Sequence, residues 1–366
     1  MALLEALLGK ASELGFKAGV IEARVVFERG LARLKEREEY RWVTPFVSGS
    51  LEQRCRPLSL YPGARTVIAL AYPWYFPDPA PWKPGQGIIA MSARGEDYHR
   101  VLRRRLEPLV SWLREQGARL VVTQVDNGPL LEREAAFWAG LGYYGYNCSL
   151  IVPGWGSWVA LGLIVTDLEI EPTPYQEERR CKECGQCFAA CPSGALIGPY
   201  ILNPSRCLSY LTQKRGFLPR EVRSLLGARL YGCDTCQEVC PENEGLSREQ
   251  AQLAKPFPFP DLVNVLQLDN HSFKEQFGAT ALAWRGKGVL KRNALIALGN
   301  SGYATEEAIK IMEQFLSSPS AILRAHAAWA LGQLKVPHSH LALEMALQKE
   351  QDPMVRQELE KALFSY

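Results

Sequence analysis

Eight cysteines between Cys181 and Cys240, of ten in the chain, constrain this sequence more than any other feature. They form two runs, Cys181-x2-Cys184-x2-Cys187-x3-Cys191-Pro192 and Cys233-x2-Cys236-x3-Cys240-Pro241, with Cys207 between them. A [4Fe–4S] cluster takes four thiolates, so two clusters take eight. Three cysteines two residues apart wrap one face of a cubane, and a fourth, just before a proline, reaches the other cluster. The spacing therefore assigns Cys181, Cys184, Cys187 and Cys240 to one cluster, and Cys191, Cys207, Cys233 and Cys236 to the second. Zinc also uses CxxC pairs. A pair of zinc sites leaves the third evenly spaced cysteine and the two Cys-Pro endings unexplained. Cys55 and Cys148 stand apart and read as small buried hydrophobes. The block signals electron transfer without naming the acceptor.

Clustered cysteines suit a metal-binding protein of the reducing cytoplasm better than a disulfide scaffold. The remaining composition agrees: 47 % hydrophobic and 22 % charged residues describe a folded soluble chain. Neither a run of about 20 apolar residues nor a signal-peptide pattern is present, so no membrane span or export is expected. The net charge of +3 is too small to demand a nucleic-acid partner, so any basic footprint must be local.

The 366 residues predict two or three domains. Residues 1–175 read as an α/β domain, 176–245 as a double-cluster ferredoxin-like domain, and 246–366 as a connector followed by HEAT-like α-helical repeats. Helices are expected at Ala2–Leu14, Tyr98–Leu113 and from Pro129 to Ala139. Strands are expected at Thr66–Ala71, Leu120–Val125 and Trp158–Val165. The aromatic, proline-rich stretch from Ala71 to Gly87 reads as an ordered loop that either rims a pocket or forms a surface arm. The connector, Leu246–Asn270, is punctuated by Pro256, Pro258 and Pro260. Leu290–Gly299 matches Leu323–Gly332, and a further copy opens at Asp352, which gives a helical repeat of a little over 30 residues. Such arrays stack helix pairs on a shared core and commonly present a binding surface.

No GxGxxG follows a strand, and no Walker A, HExxH or GxSxG motif is present. Asp97-Tyr98-His99 lacks the glycine of a cobalt-ligand motif, since Leu102 stands there, and reads as a helix-start Asp beside a half-buried His. Asp126 follows a strand in the turn Asp126-Asn127-Gly128. A buried carboxyl there would have a raised pKa and could act as a general acid; a plain turn residue is the alternative.

Several segments together give a specific resemblance. They are Val125–Arg133, Ala139–Gly142, Gly156–Gly162, Cys191–Leu196, Arg206–Thr212 and Tyr231–Gln237. Across nearly the whole chain the sequence resembles the epoxyqueuosine reductases, cobalamin-dependent enzymes of tRNA modification. It departs from them at Tyr146, at Glu242 and at Gln213–Gly216. The resemblance implies an α/β cobalamin-binding domain holding cob(II)alamin next to two [4Fe–4S] clusters. The clusters would reduce cobalt, and Asp126 would donate the proton as the epoxide of epoxyqueuosine loses its oxygen. Cofactor contacts are expected from Arg56, Tyr98, His99, Asp126, Asn147, Ser209, Gly232 and Asp234.

The implied partner is the anticodon stem-loop of a tRNA carrying epoxyqueuosine, with an unidentified low-potential electron donor. A monomer in the cytoplasm is expected. RNA-backbone contacts are expected from Lys214, Arg215, Arg285, Lys291, Arg292 and Arg324, each of which could equally sit on a solvated helix face. Two other classes compete: a corrinoid reductive dehalogenase-like enzyme, and a ferredoxin-type electron carrier on a repeat scaffold. Cobalamin binding separates the carrier from the two enzymes, and the substrate separates the enzymes from each other.

Overall fold

The apolar run at Thr66–Ala71 becomes the backbone of a sheet. In the computed structural model, which describes residues 2–46, 48–78, 80–174, 180–245 and 257–365, strand β2 spans Thr66–Pro73 and is buried along its whole length. It is flanked by β1 (Lys17–Glu22) and β4 (Val159–Thr166), and β3 (Val121–Gln124) closes the far side, giving the order β1-β2-β4-β3. Every pairing is antiparallel, with Thr66 opposite Glu22 on one side and Thr166 on the other. The expected α/β layering is present. Alternation of strands and helices reports which layers exist but not the sense in which each strand enters.

Strand β1 escapes the sequence pattern because it opens on a lysine and carries a glycine. Gly19 is needed there for close approach: a Cβ would lie 2.2 Å from the Ala139 carbonyl oxygen. Helix α1 spans Ala2–Glu13, α2 spans Glu28–Glu39, and α3 spans Tyr98–Glu115. Asp97 caps α3 by accepting from the His99 N–H at 3.1 Å, and the helix buries Val101, Leu102, Leu106, Leu109 and Leu113. Helix α4 begins at Glu132, not at Pro129. The difference has a cause: the Gln124 side chain holds the Leu130 peptide in both directions, at 2.8 and 3.2 Å, and keeps it in the preceding loop. Trp74 and Phe76 of the aromatic stretch are buried edge to face at 5.3 Å.

By backbone contacts the chain forms two units. One comprises Met1–Phe76, Asp97–Cys207 and Thr235–Gln252; the other comprises Pro77–Glu96, Leu208–Asp234 and Leu253–Tyr366. The cysteine segment is thus divided at Cys207 and again at Asp234. The boundary expected near residue 175 and the first part of the connector, 246–256, lie outside the described residues.

The second unit carries the repeats: α5 (Lys287–Ser301), α6 (Glu306–Phe315), α7 (Ala321–Leu334), α8 (Ser339–Lys349) and α9 (Pro353–Leu363). Helix α7 packs on α5 and on α9. The repeated Leu-Gly ending marks those crossings. A Cβ at Gly299 would meet Ala330 at 2.9 Å, and one at Gly332 would meet Ala362 at 2.8 Å.

The repeat arginines require a correction. Arg292 is 1 % exposed and cannot face a partner. Its guanidinium donates to the backbone carbonyls of Lys214, Gly216, Leu211 and Thr212. Arg324 holds Glu350 through two bonds of 2.6 and 2.8 Å and caps the Ser318 carbonyl. In the next repeat Arg356 likewise donates to the Leu347 and Glu350 carbonyls. Arg324 and Arg356 thus join a repeat helix to the turn before it, whereas Arg292 ties the first repeat helix to the 211–216 segment. Arg292→Met should therefore lower the free energy of unfolding by about 3 kcal/mol, because it strands buried carbonyls. A urea melt checks this; an unchanged melt with weakened RNA binding would restore Arg292 to an interface.

Candidate active site

Asp126 stands at the tip of the turn that follows β3, with φ at 55°. That left-handed conformation is strained for a residue other than glycine, although aspartate tolerates it better than most. The turn is tied to its own base. The Asp126 N–H donates to Glu132 Oε1 at 2.6 Å, and the Gln124 amide donates to the same oxygen at 3.1 Å.

Three residues from the start of α3 meet the Asp126 carboxylate or its neighbour. The Tyr98 hydroxyl donates to Oδ2 at 2.5 Å, and His99 Nε2 lies 3.4 Å from the same oxygen. The other ring nitrogen of His99 contacts Asp97 Oδ1 at 2.6 Å. Tyr98 also stacks on the imidazole at 4.0 Å, and Trp74 meets Tyr98 edge-on at 6.0 Å. An α-helix start, a turn and an aromatic stretch thus converge within one unit.

The electrostatics differ from the sequence expectation. The Asp126 side chain is 61 % exposed, not buried. Partial dehydration pushes its carboxyl up, but the bonds from His99 and Tyr98 outweigh this and hold it below the usual aspartate range. His99 moves the other way. Dehydration alone would lower it, yet Asp126 and Asp97 together raise it to about 9. At neutral pH the resting arrangement is therefore an imidazolium between two carboxylates. The carboxyl with a raised pKa is Glu132, pushed to about 8 by burial and by the nearby Asp126 charge. Asp126, the expected acid, is thus an ionised carboxylate at neutral pH, and the proton beside it rests on His99.

The cysteines also gather. Cys187 is pushed up to about 11 by burial and by the thiols of Cys181 and Cys184. Cys240 is raised by burial, by Cys181, by Glu242 and by Cys184. Cys187 and Cys240 thus sense the same two thiols, Cys181 and Cys184, the partners that spacing gives them; among the described residues no three ligating side chains already stand together as a metal site. Although burial opposes it, Cys191 is drawn below its usual value by the backbone N–H groups of Leu196, Ala195 and Ser193 and by the Ser193 hydroxyl. An amide nest of that kind suits a ligating thiolate. None of the ten cysteines is in a disulfide, and Cys55 and Cys148 are buried.

Comparison with known proteins decides the family. A model described as epoxyqueuosine reductase QueG matches residues 54–126, a 4Fe-4S double cluster binding domain matches 180–243, and HEAT repeats match 281–363. An epoxyqueuosine reductase of Listeria monocytogenes is 39 % identical, over 98 % of this chain and 96 % of its own. One of Bacillus subtilis is 36 % identical, over 99 % and 95 %. The chain belongs to the epoxyqueuosine reductase family.

Solved members of that family share the fold. One, in complex with an epoxyqueuosine-modified tRNA-Tyr stem loop, superposes with a TM-score of 0.94 at 36 % identity, over 100 % of this chain and 98 % of its own. Another, from Bacillus subtilis, has its catalytic aspartate loop swung out of the active site and superposes with a TM-score of 0.92 at 36 % identity, over 100 % and 99 %.

The remaining expected site residues have defined places. Arg56 pairs with Glu52 at 2.7 Å. Asn147 is buried, donating to the Cys236 carbonyl and accepting from Ser149. In the other unit the Ser209 carbonyl accepts from Thr212 and Gln213, and the Gly232 N–H donates to Thr212. Asp234 is buried there and accepts from the Met91 N–H at 2.5 Å. Asn147 thus ties its loop to the one carrying Cys236, and Asp234 ties its own to Met91. Arg215 is exposed; Lys214, Arg285 and Lys291 are half-buried. Lys291 lies over the Phe315 ring at 5.5 Å, and Arg285 over Trp284 at 3.4 Å.

Sequence reading missed the roles of four participants. Asp97 looked like a cap, and it is one, but the same carboxylate orients His99. Glu132 and Gln124 carried no signal, because their reach back to the turn depends on tertiary placement. Arg133 was quoted only as part of a motif. It is exposed, donates to the Cys148 carbonyl at 2.6 Å, and with burial pushes the Arg37 guanidinium down.

A charged His99 resists acylation by diethyl pyrocarbonate. The wild-type residue should stay unmodified at pH 7.5, and Asp126→Asn should expose it to reaction, as read by peptide mass spectrometry. Equal modification of both proteins would contradict the ion pair.

Proposed function

We propose that this chain reduces epoxyqueuosine at the wobble position of a tRNA anticodon to queuosine, with the Asp126–His99 pair as the proton source. The observation that carries the reading is the exposed Asp126 carboxylate, fixed by Tyr98 and backed by a protonated His99, in a member of this family. The reaction must be balanced by two electrons and two protons: both bonds of the epoxide oxygen to carbon break, a ring double bond forms, and water leaves. A leaving oxygen needs a proton as its charge develops. Asp126 touches that oxygen, and His99 Nε2 supplies the proton through Asp126. Asp97 holds the opposite ring nitrogen, so the imidazole keeps its orientation, and Tyr98 fixes the carboxylate.

Two [4Fe–4S] clusters, which Cys181, Cys184, Cys187 and Cys240 and Cys191, Cys207, Cys233 and Cys236 would hold, would supply the electrons from an unidentified low-potential donor. When bound, cob(II)alamin reduced by the clusters would supply a low-potential cobalt nucleophile for the epoxide carbon. The residues around Tyr98 fit such a group. The Trp74 indole N–H is buried beside Tyr98 without a hydrogen-bond partner. A buried orphan donor of this kind suits a ligand with peripheral amides. Arg56, Tyr98, His99 and Asn147 would hold the cofactor in this unit.

Exposed Arg133, beside Asp126, and exposed Arg215 would contact tRNA phosphates; Lys214, Arg285 and Lys291 would add to the second unit's share. An unpaired anticodon base can be splayed toward Asp126 without melting a helix. Among the described residues no helix is long and apolar enough to cross a membrane. A cytoplasmic monomer fits a tRNA substrate.

The test is anaerobic: load clusters and cobalamin, add a low-potential reductant and tRNA carrying epoxyqueuosine, then digest and weigh the nucleosides. Cobalamin-dependent loss of one oxygen is expected. Asp126→Asn should retain clusters and cobalamin while losing about 10²-fold or more in turnover. No conversion by a fully loaded, reduced protein would overturn the substrate assignment.

A further inference from the structure

The carboxyl of Glu132 has no place in the chemistry just described, yet it lies directly beneath the reacting carboxylate. Three observations bear on its role. First, Asp126 holds a φ of 55°, which the turn sequence does not enforce, since the glycine of the turn stands two residues later at Gly128. Something must hold that conformation. Second, one oxygen, Glu132 Oε1, accepts both the Asp126 N–H at 2.6 Å and the Gln124 amide at 3.1 Å. Third, Gln124 also grips the Leu130 N–H and carbonyl, so both ends of the loop are fastened to the same pair of side chains. A Cβ at Gly128 would lie 1.9 Å from Gln124 Oε1, so the loop closes tightly over this clasp.

We infer that Glu132 is a positioning residue: its Oε1, with Gln124, clasps the 125–131 loop and holds Asp126 where it can protonate the substrate. The inference rests on the reading of Asp126 as the proton-delivering group. What matters in it is an acceptor oxygen at one point in space, not a charge. That agrees with the raised pKa of Glu132, about 8, which leaves the carboxyl largely neutral at pH 7. A solved relative with its catalytic aspartate loop swung out shows that the loop of that protein has a second position. The clasp would set the balance between two such positions here.

The distinguishing experiment compares three substitutions in the cluster-loaded, cobalamin-loaded full chain. Glu132→Gln keeps the acceptor oxygen and the neutral form. Glu132→Asp keeps the carboxyl but withdraws it by one methylene. Glu132→Leu removes the acceptor. Loss of about 1 Å in placement can cost about 10²-fold in rate. Glu132→Leu should therefore lower kcat by about 10²-fold and Glu132→Asp by at least about tenfold, with the KM for tRNA unchanged. Glu132→Gln should stay within about threefold of wild type. Hydrogen exchange in segment 125–131 should quicken in the Leu and Asp variants and not in Gln. If Glu132→Leu does not fold, the Asp and Gln pair still decides.

Unchanged exchange in Glu132→Asp would overturn the clasp. A loss in Gln as large as that in Asp would overturn it too, because the acceptor oxygen that Gln retains would then not suffice. Quickened exchange with full turnover would overturn the inference at its other end: Glu132 would hold the loop, but that hold would not govern turnover, while the role of Asp126 would still stand or fall with Asp126→Asn.

Discussion

The contact between the Asp126 carboxylate and the His99 imidazolium is the interaction on which the site depends. It sets two pKa values in opposite directions and decides where the proton waits. A carboxyl alone on an exposed turn would be ionised at neutral pH and would have nothing to give. A histidine alone on α3, half-buried, would be neutral. Together, with Asp97 behind and Tyr98 alongside, they form a charged store that can release one proton toward a developing oxyanion. The carboxylate makes this contact from a strained turn, with Asp126 φ at 55°.

The rest of the first unit serves that placement. The buried β2 strand fixes the sheet, β3 delivers the turn, and the Asp97 cap starts α3 where Tyr98 and His99 must stand. The cysteine segment brings a second constraint of a similar kind. Burial and the neighbouring Cys181 and Cys184 push the Cys187 and Cys240 thiols up, a penalty on the thiolates that a cationic metal centre would offset. The repeat helices of the second unit show a third kind of economy. Arg292 and Arg324, charged residues on a basic-looking array, are consumed internally, one on the 211–216 carbonyls and the other on Glu350 and Ser318.

Much of this was legible in the sequence because the physics involved is local. Cysteine spacing reflects the reach of a loop around a cubane, and the Leu-Gly repeat reflects helices that must cross closely. Thr66–Ala71 is apolar on both faces because both faces are covered. What was not legible depends on distant partners. Strand β1 is ordinary in composition and is a strand only because β2 lies beside it. The late start of α4 follows from the grip of Gln124 on Leu130. Arg292 looks identical to a surface arginine until four carbonyls surround it. Asp126 was found by its place after a strand. Its ionisation could not be read, since that is set by His99, 27 residues earlier in the chain.

The most direct test of the account is the pH dependence of the single-turnover rate with epoxyqueuosine-bearing tRNA. The folded-state pKa of His99 is raised, so the proton is present below it and lost above it. The account predicts a rate that holds through neutral pH and falls as pH rises through about 9, with that limb moving to lower pH in Asp97→Asn, where His99 loses one of the two carboxylates that raise it. A rate that instead falls through the ordinary carboxyl range, near pH 4–5, would place the proton on Asp126 itself and contradict the ion pair.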